Sequence, residues 1–191
     1  LGRDSGASAG RHFFKNVNVS GYFSQAAIYS IASEENSWYG LLANVLGGGA
    51  KYTLYSSDAD NLSVDSLVTS SNFDSHFFGF NLLHQANTND AAVIYLKGVG
   101  RGFSFFGGFT GITAGTNSSH VVLECPTLSA STDILTNIVF DGVGHEAVSN
   151  ASPPIQIFKI TGANPSTLRG LRISNCVNGQ ILGGTQYYIY G

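Results

Sequence analysis

Charge is what this sequence has least of. Asp, Glu, Lys and Arg make up 11% of its 191 residues, against about 25% in an ordinary soluble domain. Nine Lys and Arg face twelve Asp and Glu, a net charge of −3 with no basic run. Such a chain offers little drive toward a phosphate backbone, so nucleic acid is not an expected partner. Long apolar runs are missing too: the longest fall far short of the ~20 residues that span a bilayer, and no membrane insertion is expected. Cysteine occurs only twice, as Cys125 and Cys176. Two are too few for a disulfide framework and read as buried apolar thiols. Methionine is absent, and the opening Leu1-Gly2-Arg3-Asp4 has no signal-peptide layout. Residues 1–191 therefore read as one domain, a piece of something longer. Of the four prolines, Pro153, Pro154 and Pro165 fall in gaps between apolar runs, where a missing N–H does no harm.

What is present is apolar, glycine-rich and strand-like. Hydrophobic residues reach 43% and glycines number 24, which excludes a disordered chain. Helix signals are poor; the best candidate runs from Ser37 to Val45, ended by Gly47-Gly48-Gly49. Elsewhere short β-rich runs stand between Gly, Asn, Ser and Asp: Phe13 to Phe23, Phe77 to Leu83, Ala91 to Lys97, His120 to Cys125 and Ile155 to Thr161 among them.

These runs repeat. One class reads apolar-x-apolar and then small or polar: Phe78-Gly79-Phe80-Asn81, Phe103-Ser104-Phe105, Ile138-Val139-Phe140-Asp141 and Leu171-Arg172-Ile173-Ser174, at spacings of 25, 35 and 33 residues. A second class alternates with it: Ile94-Tyr95-Leu96, Val121-Val122-Leu123 and Phe158-Lys159-Ile160. Two alternating strand classes with uneven connections predict an all-β solenoid, a parallel β-helix whose turns bury their inner faces only by stacking. The expected inward columns are Phe78/Phe103/Ile138/Leu171 and Ile94/Val121/Phe158. A β-sandwich is the alternative, but it predicts hairpins closed by two-residue turns, and the one Asn-Gly pair, Asn178-Gly179, does not read as a hairpin.

The segments FKNVNVSGYF, LTNIVFDGVG and LRGLRISNCVNG resemble right-handed, single-stranded parallel β-helix proteins of the pectate-lyase superfamily, whose coils carry phrases such as xNIxFxNxxxxG. The low charge, absent Met and aromatic-rich insertions look most like a bacteriophage tailspike. The resemblance covers about Arg11 to Leu182 and lies in repeat style, not in a catalytic motif. It implies a homotrimer on a virion, outside a cell, that recognises a bacterial surface polysaccharide and often cleaves it.

Hydrolysis of a glycan needs two carboxylates. Strand alternation turns Asp141 and Glu124 outward, and His145 and Glu146 follow Asp141 in the densest ionisable cluster, Asp141-Gly142-Val143-Gly144-His145-Glu146. Asp141, Glu146, Glu124 and His145 are therefore the catalytic candidates. Each also has a structural reading: Asp141 lies diagonal to Arg172, while Glu124 shares a column with Lys97 and lies diagonal to Lys159. Sugars pack on exposed aromatic rings, which singles out Trp38 and Tyr39, with Tyr95 facing out; Arg172 is a further substrate contact. A lyase would draw its base from Arg101, Arg169 or Arg172, without an acidic metal cluster beside it. Asp58, Asp60 and Asp65 lack calcium-loop spacing. No metal or cofactor is expected, and an inert receptor-binding shaft and a structural stem stand beside the glycanase.

Overall fold

The computed structural model describes residues 12–31, 35–57, 72–97, 100–113, 115–125, 135–147, 155–162, 168–178 and 189–190. Asp58, Asp60, Asp65, Pro153, Pro154 and Pro165 lie outside them. Every regular element among the described residues is a strand, and the strands fall into six successive circuits. The first holds β1 (His12–Lys15), β2 (Asn18–Tyr22) and β3 (Ala26–Ile31); the second β4 (Asn36–Tyr39), β5 (Leu42–Gly47) and β6 (Tyr52–Ser57). The third adds a short strand: β7 (Asn72–Phe73), β8 (His76–Phe78), β9 (Asn81–His84) and β10 (Ala92–Lys97). The fourth is β11 (Gly100–Arg101), β12 (Ser104–Phe106), β13 (Phe109–Ile112) and β14 (Ser119–Cys125). The fifth is β15 (Leu135–Thr136), β16 (Val139–Asp141), β17 (Gly144–Ala147) and β18 (Gln156–Gly162). The sixth is β19 (Leu168–Arg169), β20 (Arg172–Ser174), β21 (Val177–Asn178) and β22 (Ile189–Tyr190).

Each strand pairs with its counterpart in the next circuit. Sheet 1 is β1-β4-β8-β12-β16-β20, sheet 2 is β2-β5-β9-β13-β17-β21, sheet 3 is β3-β6-β10-β14-β18-β22, and sheet 4 is β7-β11-β15-β19. All these pairings are parallel. Parallel neighbours cannot be joined by hairpins, so the sandwich alternative is excluded for the described residues, and Val177–Asn178 is a strand of a parallel sheet, not a hairpin arm.

Backbone chemistry at the corners fixes this path. Between sheets 1 and 2 the chain turns at Asn16, Gly40, Gly79, Gly107, Gly142 and Asn175, all at φ 53–66°. Only Gly and Asn adopt that region cheaply, and only they occur there. Their N–H groups carry the ladder round the corner: Asn16 donates to the Tyr39 carbonyl at 2.8 Å, Gly79 to Phe106 at 2.9 Å and Gly142 to Ser174 at 3.0 Å.

The core is made of columns. In sheet 1, Phe14, Trp38, Phe77, Phe105, Phe140 and Ile173 are in register, and Phe105 stacks 4.7 Å from both Phe77 and Phe140. In sheet 3, Ile94, Val121 and Phe158 align as expected and are buried, with Leu54 added to the column.

Three expectations need correction. The helix over Ser37 to Val45 is replaced by β4 and β5, because Trp38, Ala43 and Val45 are buried at a period of two on either side of the Gly40 corner. The first expected column is out of frame at Phe78. Gly79 turns the chain between sheets, so Phe78 pairs with Phe106 on the outer face while Phe80 is buried. Ser75 holds the place aligned with Phe103 and Ile138, as its carbonyl accepts from Ser104 N just as that of Phe103 accepts from Val139 N. Of the two thiols read as buried, only Cys125 is; Cys176 is half-buried.

Candidate functional site

Because Phe14, Trp38 and Phe77 point inward, their neighbours must point out. Register then builds two outer rows on sheet 1: Phe13, Ser37, His76 and Ser104 in one, Lys15, Tyr39, Phe78, Phe106 and Asp141 in the other. In the second row Tyr39 and Phe78 stack at 4.9 Å and 9°, and Phe78 and Phe106 at 5.4 Å and 15°. Rings stacked this way spend their faces on one another and leave their edges outward. Tyr39, at one end of the stack, is 42% exposed.

Beside the first row, Phe13, Glu35, Ser37, Asp74 and His76 line a groove of about 320 Å³. Glu35 and Asp74 occupy the same corner position in successive circuits, because Ser37 is in register with His76 two residues on. Their backbones are therefore one strand spacing apart, about 4.8 Å. The corner demands left-handed backbone, supplied later by Gly102, Asn137 and Gly170, yet here by Glu35 at φ 51° and Asp74 at φ 48°. Phe13 leaves its ring 73% exposed, and the His76 ring lies 6.3 Å from Phe78, joining the groove to the aromatic row. Among the described residues, no Lys or Arg lines the groove.

The residues singled out from sequence are dispersed. Asp141 ends the aromatic row and accepts a 2.8 Å hydrogen bond from Asn175 Nδ2. Arg172 is exposed on the same face but in register with Val139, not with Asp141. Glu146 is half-exposed on β17, opposite Gly111 in sheet 2. Glu124 is on sheet 3, where its carboxylate pairs with Lys97 Nζ at 3.5 Å and accepts from the Tyr95 hydroxyl. Burial and then that bond to Glu124 raise the Tyr95 phenol above its ordinary range.

Two of them require correction by position. His145 does not stand beside Asp141 and Glu146 in an exposed cluster; it is buried, with Nδ1 2.7 Å from Thr110 Oγ1, and burial lowers its pKa to about 4. Trp38 is 8% exposed, with Phe14 stacked 3.9 Å away and Phe77 at 6.1 Å, so it presents no platform to a sugar. Both errors come from treating a strand or a polar neighbourhood as one surface when successive side chains point opposite ways. Tyr39 does face out.

Phe13, Glu35, Ser37, Asp74 and His76 escaped sequence reasoning. The signal that finds them is spacing from the inner column: Glu35, Asp74, Gly102, Asn137 and Gly170 each stand three residues before Trp38, Phe77, Phe105, Phe140 and Ile173. Among the described residues, no group of three or more His, Cys, Asp or Glu is placed to hold a metal ion, and no helix is long and apolar enough to cross a membrane. Comparison of the chain with protein-family models, with curated proteins and with solved structures found no match.

Proposed function

We propose that the chain winds as a right-handed, single-stranded parallel β-helix of the tailspike kind, part of a phage tail protein working outside a cell. In this reading it binds a bacterial surface polysaccharide on the outer face of sheet 1 and hydrolyses it in the groove of Phe13, Glu35, Ser37, Asp74 and His76. The cyclic visit to four parallel sheets supports the winding; the homotrimer rests on the resemblance alone.

The observation that carries the function is that groove. It gathers two carboxylates, an imidazole, a hydroxyl and an open aromatic ring at one solvent-facing place. Carbohydrate offers apolar C–H faces and polar edges, which such a mixed lining meets with Phe13 on one side and Ser37, His76 and the carboxylates on the other. The two carboxylate positions stand one strand spacing apart, about 4.8 Å along the backbone, and a pair of carboxylates is what glycoside hydrolysis requires. One carboxyl would protonate the glycosidic oxygen as the other attacks the anomeric carbon. Water would then release the sugar from the second, with the first now acting as base.

The test is incubation with capsular, O-antigen and teichoic polysaccharides, reading new reducing ends and product masses. Discrete oligosaccharides are expected from the parent chain, with a loss of at least a hundredfold in Glu35→Gln and Asp74→Asn. Undiminished cleavage in both variants, with loss in Asp141→Asn and Glu146→Gln, would move the chemistry to the other cluster. A second reading, recognition without cleavage, is favoured by the engagement of Glu124 and Asp141 and the burial of His145. Saturable glycan binding lost in Phe13→Ala, with no product from any polysaccharide, would establish it.

A further inference from the structure

Sheet 2 differs from the others inside. Its inner column passes from Ala43 and Leu82 to Thr110 and His145, and the neighbouring column carries His84 between Val45 and Ile112. His120, on β14 of sheet 3, meets them from across the interior. Its Nδ1 is 2.9 Å from Thr110 Oγ1, the same oxygen that lies 2.7 Å from His145 Nδ1. One circuit back, His84 Nδ1 lies 3.3 Å from Thr53 Oγ1. All five side chains are at most 1% exposed. The second circuit is thereby tied to the third, and the fourth to the fifth, by side-chain bonds through the interior.

We infer that these three imidazoles are an acid-release device, fastening the middle circuits while neutral and unfastening them together when protonated. The hydrogen-bond geometry is the reason. The Thr53 hydroxyl donates to the Leu83 carbonyl at 2.9 Å, so His84 Nδ1 carries the hydrogen of its bond to Thr53 and a second proton must go to Nε2. Where Thr110 gives its one proton to a bare Nδ1, protonation of that imidazole turns the acceptor into a donor, and the hydroxyl proton must swing to the Gly144 carbonyl, 3.5 Å away. The Nε2 atoms of His84 and His145 are buried without a partner among the described residues, and His145 packs edge-on against Phe158 at 5.5 Å. A cation there would carry an unmatched donor into apolar surroundings. His120 and His145, with ring centroids 5.3 Å apart, would also repel as two cations.

Among the described residues, no charged group of the surrounding strands faces that site. Glu146 on β17, Glu124 on β14, Lys159 on β18 and Lys97 and Tyr95 on β10 alternate with the inward residues and face out, and Tyr52 and Tyr55 on β6 belong to the outer tyrosine cluster with Tyr95. On β9 and β13 the imidazole of His84 is the one titratable group. Burial lowers His84 and His145 to about 4; burial and then the His145 imidazole hold His120 well below 6.5.

The folded chain thus binds fewer protons than the unfolded one between pH 6.5 and about 4. Stability from this source is full above pH 6.5 and is lost as pH falls. The unfolding constant should rise about tenfold per pH unit for each imidazole.

Urea unfolding of the whole chain from pH 7 to pH 5, followed by Trp38 fluorescence and circular dichroism, tests this. The expected uptake averages about two protons over this range and rises to between about two and three near pH 5; it falls by about a third in His145→Asn and by about two thirds in His120→Asn/His145→Asn, since an amide at the Nδ1 position keeps a bond to Thr110 but does not titrate. Uptake below one in the parent, or unchanged in the variants, would overturn the device. If the variants fail to fold, proton resonances of the parent imidazoles decide. Three that hold their neutral shifts until the chain unfolds support it, and three that titrate in the folded chain overturn it.

Discussion

The two faces of sheet 1 share their backbone and differ in everything else. Inward, six circuits present Phe14, Trp38, Phe77, Phe105, Phe140 and Ile173, one large apolar side chain at every level. Outward, in the adjoining row, the same circuits present Lys15, Tyr39, Phe78, Phe106, Asp141 and Ser174. The inner column is uniform because each ring packs on the ring above and below, so a polar or small residue would leave a gap in a close-packed stack. The outer row meets solvent on one side and is free to change character from circuit to circuit. Function is therefore to be sought where the repeat stops being a repeat: at Glu35 and Asp74, where a corner served later by Gly and Asn becomes acidic.

Truncating adjacent rings on opposite faces breaks the comparison most sharply. Phe105 is fully buried between Phe77 and Phe140, and Phe105→Ala should cost about 3–5 kcal/mol. Phe106→Ala removes a half-exposed ring and should cost roughly 1–2 kcal/mol, its partial burial and stacking alone. Equal losses in urea unfolding would mean that the outer face is covered too. The corners give the next largest effect. At Gly79 (φ 58°) an added Cβ meets nothing within 4 Å, so Gly79→Ala isolates the backbone term, about 1–2 kcal/mol. Gly79→Asn should cost less, as Asn16 and Asn175 already serve that corner. A smaller penalty for Ala than for Asn would show that side-chain space, not backbone conformation, selects the residue.

That corner explains how much of the fold was legible. Two strand classes and the Ile94/Val121/Phe158 column could be read because the inner residues of sheet 3 sit in uninterrupted strands, where a period of two holds. The frame failed at Phe78-Gly79-Phe80 because period two does not cross a left-handed residue: Phe78 faces out and Phe80 faces in. The unit that does survive is a polar or Gly residue, two residues, a large apolar residue, one residue, then Gly or Asn. It is met by Asp74 to Gly79, Gly102 to Gly107, Asn137 to Gly142 and Gly170 to Asn175. The groove was not legible for a different reason. Phe13, Glu35, Ser37, Asp74 and His76 come from three circuits, and uneven connections hide which residues lie side by side. Trp38 misled because a polar stretch before an aromatic suggests exposure, whereas strand parity decides it.

The smallest expected effect concerns Glu124, which sequence offered as a catalytic acid and the structure ties to Lys97 and Tyr95. Both ends of the ion pair are about 30% exposed, so solvent screens it and Lys97→Ala should change stability by no more than about 1 kcal/mol. Glu124→Gln carries a finer test. Burial is the largest cause of the raised Tyr95 phenol, with the Glu124 hydrogen bond and charge following. Removing the carboxylate should therefore move Tyr95 part of the way back toward 10 and leave the share due to burial in place. Ultraviolet titration of phenolate absorbance, with Tyr95→Phe to identify the band, measures that share. A complete return would make Glu124 the whole cause and Tyr95 an open surface side chain. No movement would mean that the carboxylate does not face the hydroxyl, and would return Glu124 to the outer-face residues free to act on a ligand.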